Sequence, residues 1–152
     1  MMEMKPPEPM REALAEAEAS AGRGEVPVGC VIVSPSGGIL AKAGNRTIEL
    51  SDPTAHAEIL AIRAAAAAFG SERLTGCDLY VTLEPCAMCA AAMSFARIRR
   101  LYFGAADPKM GAVENGVRFF ANASCHHRPE VYGGIGGEEG AMLLKGFFKS
   151  RR

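Results

Sequence analysis

The chain has 152 residues, 49% of them hydrophobic and 22% charged, and its 17 basic and 17 acidic residues cancel to zero formal charge. That length supports one domain with one core, and the charge balance argues against a broad, non-specific nucleic-acid binder, which would be basic. No apolar run reaches membrane-spanning length and the start lacks a secretory pattern, so the expectation is a cytoplasmic protein without a membrane partner.

Residues 1–9 are rich in proline and are expected to be loose at the edge of a single domain spanning 1–152. From Met10 to about Ala21, Met10, Leu14, Ala17 and Ala21 recur at helical spacing, and Gly22 and Gly24 end the helix. Val26 to Val33 reads as a buried strand with an irregular start at Pro27, Ser34 to Gly38 as a turn, and Gly38 to about Ala43 as the returning strand of a hairpin. A loop from Asn45 to Pro53 leads into a helix that carries Ile59, Leu60, Ile62 and the run Ala64–Ala68 and closes at Gly70. A third strand runs from Cys77 to Leu83, a helix from about Cys86 to Phe95, and a fourth strand from Arg99 to Phe103. Gly104 to Asn122 is mostly loop, Glu130 to Tyr132 a short fifth strand, and Glu139 to about Ser150 a last helix, acidic at its start and basic at its end. Helices alternate with strands after the hairpin, so the later strands should be parallel in an α/β layered domain. A site should then sit beyond the carboxyl ends of the strands.

Five cysteines is an odd number, against a complete disulfide framework. Cys30, Cys77 and Cys125 stand apart and read as small buried residues, whereas Cys86 and Cys89 follow Pro85 at a C-x-x-C spacing. Pro85 suits a first helical turn, and the two sulfurs would then share a face at the positive end of the helix dipole, where thiolate is favoured. Alone, the pair could equally be a redox dithiol or two buried thiols. His56 supplies a third ligand, and the set of one imidazole and two thiolates suits tetrahedral zinc with one position left for water. Glu58 is two residues on and cannot share a face with His56 in a regular helix. Thr54 as N-cap would place His56 at the frayed helix start and resolve this. Glu58 is then the proton shuttle beside a water that zinc acidifies from a pKa of about 15.7 to about 7 and makes available for attack as hydroxide.

The order His56-x-Glu58 followed by Pro85-Cys86-x-x-Cys89 resembles the signature of the zinc nucleobase deaminases. Longer strings narrow the resemblance. Val26-Pro27-Val28-Gly29, Gly44-Asn45-Arg46, Asp52-Pro53-Thr54-Ala55-His56-Ala57-Glu58-Ile59, Leu79 to Cys86, Arg97-Ile98, Phe103-Gly104-Ala105 and the closing Phe147-Phe148 with Arg151-Arg152 look like the bacterial tRNA-specific adenosine deaminases, from Met10 almost to the end. The resemblance implies a cytidine-deaminase-like three-layer α/β/α sandwich on a mixed five-stranded sheet, one Zn2+ per subunit, a homodimer, and hydrolysis of the wobble adenosine of a tRNA anticodon stem-loop to inosine. It places the metal on His56, Cys86 and Cys89 and the proton shuttle on Glu58. It puts nucleotide contacts at Asn45 and Asp107, and anticodon-loop contacts at Phe148, Arg151 and Arg152. His126-His127 departs from an Asn-His pair common in the family.

Read without the family, Asn45 and Asp107 are also turn residues, and Arg151 and Arg152 a solvated helix end. Phe147 is expected in the core and Phe148 free to stack. Rival functions are a zinc deaminase of a free base or nucleoside such as guanine or cytosine, a non-catalytic zinc-stabilised RNA-binding module, and thiol redox exchange.

Overall fold

A computed structural model describes residues 5–151. The elements in chain order are α1 (Glu8–Gly22), β1 (Gly29–Val33), β2 (Ile39–Gly44), α2 (Ala57–Phe69), β3 (Asp78–Leu83), α3 (Ala87–Ala96), β4 (Arg100–Ala105), a 3-10 turn (Phe119–Ala121), β5 (Glu130–Tyr132) and α4 (Gly137–Ser150). The strands form one five-stranded sheet in the order β2-β1-β3-β4-β5. β1 runs antiparallel to β2 and β3; β3 and β4, joined through α3, are parallel as alternation of helices and strands requires, and β5 is parallel to β4 although a loop with one 3-10 turn joins them. α1 and α4 contact each other and one face of the sheet, and α2 and α3 cover the other. The result is the α/β/α sandwich on a mixed sheet.

α1 begins at Glu8, two residues before the first periodic apolar residue, because Pro9 lies in its first turn. A proline there forfeits no hydrogen bond and has its φ preset for helix, so residues 8 and 9 are ordered helix rather than loose chain. Met10, Ala13 and Ala17 then bury fully against β1. A Cβ on Gly29 would collide with the Ala13 carbonyl oxygen and come within 2.6 Å of the Ala17 nitrogen, so the helix sits directly on the strand only because residue 29 is glycine. β1 starts at Gly29 and not at Val26, since Pro27 offers no N–H to the ladder, and Val26–Val28 form an entry segment beside the site.

On the other face, Ala57, Ala61 and Ala65 of α2 and Ala90 and Met93 of α3 reach the core formed by Ile32, Leu79, Val81, Leu101 and Phe103. Of the run Ala64–Ala68 only Ala65 is fully buried, so the rest of it supports the helix by propensity rather than packing. Gly70 closes α2 in the left-handed region, with φ 77°. Cys30, Cys77 and Cys125 are buried and free. Phe147 is half-buried and outside both core clusters, against expectation, because α4 presents it to the side where the Arg151 guanidinium lies 4.0 Å over its ring.

Candidate metal centre and active site

Two helix starts face each other beyond the sheet. His56 is the N-cap residue of α2 and Cys86 that of α3, both in extended backbone. This corrects two expectations. Thr54 is not the cap: its N–H and hydroxyl both donate to Asp52 Oδ1, at 2.8 and 2.7 Å, in a turn before the helix. Pro85 precedes the cap rather than occupying the first turn. Both corrections follow from where the extended residues lie, and the chemistry survives them. His56 stands outside the helical repeat and Glu58 inside its first turn, so the two can turn toward one cavity although they are two residues apart. Cys86 at the cap and Cys89 three residues later present their sulfurs together.

His56 Nδ1 is 3.6 Å from the Cys86 Sγ and 3.6 Å from the Cys89 Sγ, and all three atoms lie within 4.8 Å of one another. Tetrahedral bonds of about 2.3 Å to sulfur and 2.0–2.1 Å to nitrogen put such atoms about 3.6 Å apart. One ring nitrogen equidistant from two sulfurs is poorly explained by a single shared proton and well explained by a common metal. The donor set therefore fits zinc, with three protein ligands, and it is the sole such cluster among the described residues.

The electrostatics agree. The Cys86 sulfur is held down to about 4, first by the Cys89 thiol that donates to it and then by His56. Cys89 is pushed far up by the same shared proton and by burial, and His56 is raised by its contact with Cys86. Both helix N-termini favour negative charge there. Glu58 is buried, and burial lifts its carboxyl to about 7, with the Cys86 charge adding to the effect.

His56, Glu58 and Cys86 line a cavity of about 250 Å³. That is below the roughly 300–1,000 Å³ of drug-sized sites and suits a single extruded base. Asn45 and Thr47 form one wall with Val26 and Val28, and Asp107 and Met110 the other with Leu83. Asp107 is the turn starter that its type suggests, its Oδ1 accepting the N–H groups of Lys109 (3.1 Å) and Met110 (3.0 Å), and it also lines the cavity. Phe148 (53% exposed) and Arg151 lie outside this lining, on α4 and just past its end. Arg152 is outside the described residues. His126 is exposed, and His127 Nε2 donates to the Ile98 carbonyl at 2.7 Å, so neither joins the cavity. A larger cleft of about 740 Å³ between residues 5–7 and the start of α4 has no histidine or cysteine in its lining.

Two buried carboxylates were not anticipated as site residues. Glu84 Oε2 accepts the N–H groups of Val113, Glu114 and Asn115, and Oε1 accepts the Asp107 N–H and the Asn115 amide, all at 2.7–3.0 Å. Burial pushes this carboxyl up, but these donors outweigh it and hold Glu84 below the usual carboxylate range. A Cβ on Gly111 would come within 2.5 Å of the Glu84 carboxyl carbon, so the loop closes on the carboxylate only with glycine there. Glu25, also buried, supports the opposite wall. Their types carried no local signal, since an acidic residue in isolation is read as exposed.

Residues 5–105 match the family described as the cytidine and deoxycytidylate deaminase zinc-binding region. The tRNA-specific adenosine deaminase of Agrobacterium fabrum is 60% identical over 143 residues, covering 94% of this chain and 93% of that protein. The chain belongs to the tRNA-specific adenosine deaminase family. The Rickettsia bellii member is 51% identical over 144 residues, 94% of this chain and 99% of that one. A solved structure from a study of A-to-I editing by tRNA:A34 deaminases at the wobble position superposes with a TM-score of 0.88 at 61% identity, covering 90% of this chain and 98% of that one. A deaminase of this family is a zinc-dependent hydrolase, and the imidazole and two sulfurs fit one zinc per subunit.

Proposed function

We propose that the chain hydrolyses adenosine to inosine at the anticodon wobble position of tRNA. The observation that carries this is the convergence of His56 Nδ1 with the Cys86 and Cys89 sulfurs at 3.6 Å, on the rim of a cavity that also holds the buried Glu58. His56, Cys86 and Cys89 would hold the zinc. Zinc bound there supplies a Lewis acid that makes water nucleophilic at neutral pH.

The remaining steps belong to Glu58. Its carboxyl, lifted to about 7, both takes and gives a proton near neutrality. It removes a proton from the attacking water and delivers it to adenine N1 as the new bond forms at C6. It then moves the proton of the new C6 hydroxyl to the 6-amino group, so that the C6–N6 bond breaks as the C6 carbonyl forms, and ammonia leaves. Water and adenosine thus give inosine and ammonia. Asn45 and Asp107 hydrogen-bond the extruded nucleotide from opposite walls, and Phe148, Arg151 and Arg152 meet the anticodon loop by stacking and phosphate contact.

The homodimer belongs to the same reading. Phe95 is 81% exposed on α3, beside a shallow groove whose lining includes Ile59 and Ile62 of α2, an apolar area of the kind that subunits cover. No helix among the described residues is long and apolar enough to cross a membrane, and tRNA as substrate favours the cytoplasm.

The test uses zinc-loaded protein and anticodon stem-loops bearing A or G at the wobble position. Inosine should form from the A hairpin alone. Ammonia released from free guanine or cytosine with an inert hairpin would replace this reading by the small-molecule one.

A further inference from the structure

Glu25 lies between α1 and β1, only 2% exposed, and is not itself among the residues that line the cavity. Its Oε2 accepts the Glu49 N–H at 2.8 Å, and its Oε1 accepts the Ile48 N–H at 3.1 Å and the Asn45 side-chain Nδ2 at 3.4 Å. Asn45 Nδ2 also donates to Thr47 Oγ1, at 3.4 Å. A hydroxyl can accept or donate, but an ionised carboxylate only accepts. The Asn45 amide must therefore turn its nitrogen toward Glu25. Its Oδ1 then has no hydrogen-bond partner among the described residues, yet none of their fully buried side-chain polar atoms is unpartnered. Asn45 Oδ1 is thus not fully enclosed, and Asn45 is one of the residues that line the cavity.

We propose that Glu25 is a positioning residue: it fixes the Asn45 amide in one of its two orientations, so that this wall offers the nucleotide a hydrogen-bond acceptor and not a donor. An asparagine that faced an amide nitrogen there would be turned the other way and set its donor end against the substrate. The carboxylate removes that choice before binding, and its charge strengthens the negative end of the amide dipole. Selectivity at this wall is accordingly for a substrate group that donates a hydrogen. The inference rests on the reading that Asn45 touches the nucleotide.

The experiment is a double-mutant cycle on zinc-loaded protein with the A hairpin: wild type, Glu25→Gln, Asn45→Ala and the pair. Glu25→Gln should lower kcat/KM on the order of tenfold, chiefly through KM, with zinc content unchanged. In the Asn45→Ala background the same change should alter kcat/KM less than about twofold, because the residue it acts through is gone. A second tenfold loss in that background, or no loss in the first, would overturn the proposal and leave Glu25 a loop anchor. A measurement on the wild type covers the case in which Glu25→Gln does not fold. The Asn45 side-chain amide protons should give NMR cross-relaxation peaks to the Ile48 N–H and the Thr47 side chain. Their absence would show the amide turned the other way and sink the proposal. Their presence in a wild type that makes no inosine would sink the deamination reading and leave the orientation standing.

Discussion

The loop entering α2 hangs on Glu25 by the N–H groups of Ile48 and Glu49 and one side-chain amide, whereas the loop after β4 hangs on Glu84 by four backbone N–H groups and one amide. The two walls of the cavity are thus built on one plan, a buried carboxylate collecting the donors of a loop that has no regular structure to satisfy them. They differ in what else restrains them. The first loop runs directly into His56, so a bound metal pins its far end. The second has no ligand in it, and apart from Glu84 it is tied back by the Ala112 N–H to the Pro85 carbonyl at 2.9 Å and by Phe119 N–H to Ala112 at 2.7 Å. The wall that lacks a metal ligand carries the larger share of its order on one side chain.

The largest effect should come from the floor that both walls share. Glu58→Gln keeps the shape and one oxygen but cannot pass a proton. Turnover of the A hairpin should fall by about 10²–10⁴-fold, with zinc content and hairpin affinity near wild type. Zinc determination and single-turnover assays check this. Turnover within tenfold of wild type would remove Glu58 from its role, and with it the reason to compare walls around it.

Glu84→Gln should break the second wall. Two of the five donors, or three if Oε2 is the oxygen replaced, would face an amide nitrogen instead of an acceptor, and each donor left unpaired in the interior costs roughly 1–3 kcal/mol, more where the bond was to a charge. The loss should appear in urea melts, and in KM once Asp107 and Met110 lose their place. Its pH dependence has a definite sign. The folded Glu84 carboxyl titrates below its usual 4.5. Its contribution is therefore fully present above the unfolded value and disappears as pH falls through the folded one. The stability gap between wild type and Glu84→Gln should be constant from pH 7 to about 5 and shrink in acid. A gap that grew in acid would contradict the assignment.

Asp107→Asn probes the same wall more gently. Asparagine retains a side-chain oxygen for the Lys109 and Met110 N–H groups, so the turn should survive with stability within about 0.5 kcal/mol. Any change in hairpin KM then reports the lost charge at the cavity rather than a displaced loop. Melting curves and KM together separate the two.

The sheet, the parallel β3-β4-β5 and the split metal centre were readable because each rests on a local rule: alternation of elements, a C-x-x-C spacing, a histidine before a helix. The exact caps were not, because Thr54 is a good cap by type and only the Asp52 turn before it pre-empts its hydroxyl. Pro9 looked like a sign of looseness and is a helix start. Glu25 and Glu84 could not have been chosen from spacing at all. Each is 20 or more residues from the donors it gathers, and what makes them important is burial, a property of the assembled fold. Asn45 and Asp107 were named through resemblance, and the structure adds where they stand: each is on a different carboxylate-hung loop, and both line one cavity.

α4 lies outside both loops and supplies the smallest effect. Arg151 packs its guanidinium over the Phe147 ring and lies against Gly24, where a Cβ would meet its Nη2 at 3.3 Å. An exposed contact of this kind contributes about 0.5–1 kcal/mol, so Arg151→Ala should lower the melting temperature slightly and leave kcat untouched. If the guanidinium also meets phosphate, the hairpin KM should rise and the slope of log affinity against log salt should fall by about one. Measured at several salt concentrations, an unchanged slope would confine Arg151 to packing on Phe147, leaving the exposed Phe148 as the remaining described candidate for RNA contact at this end.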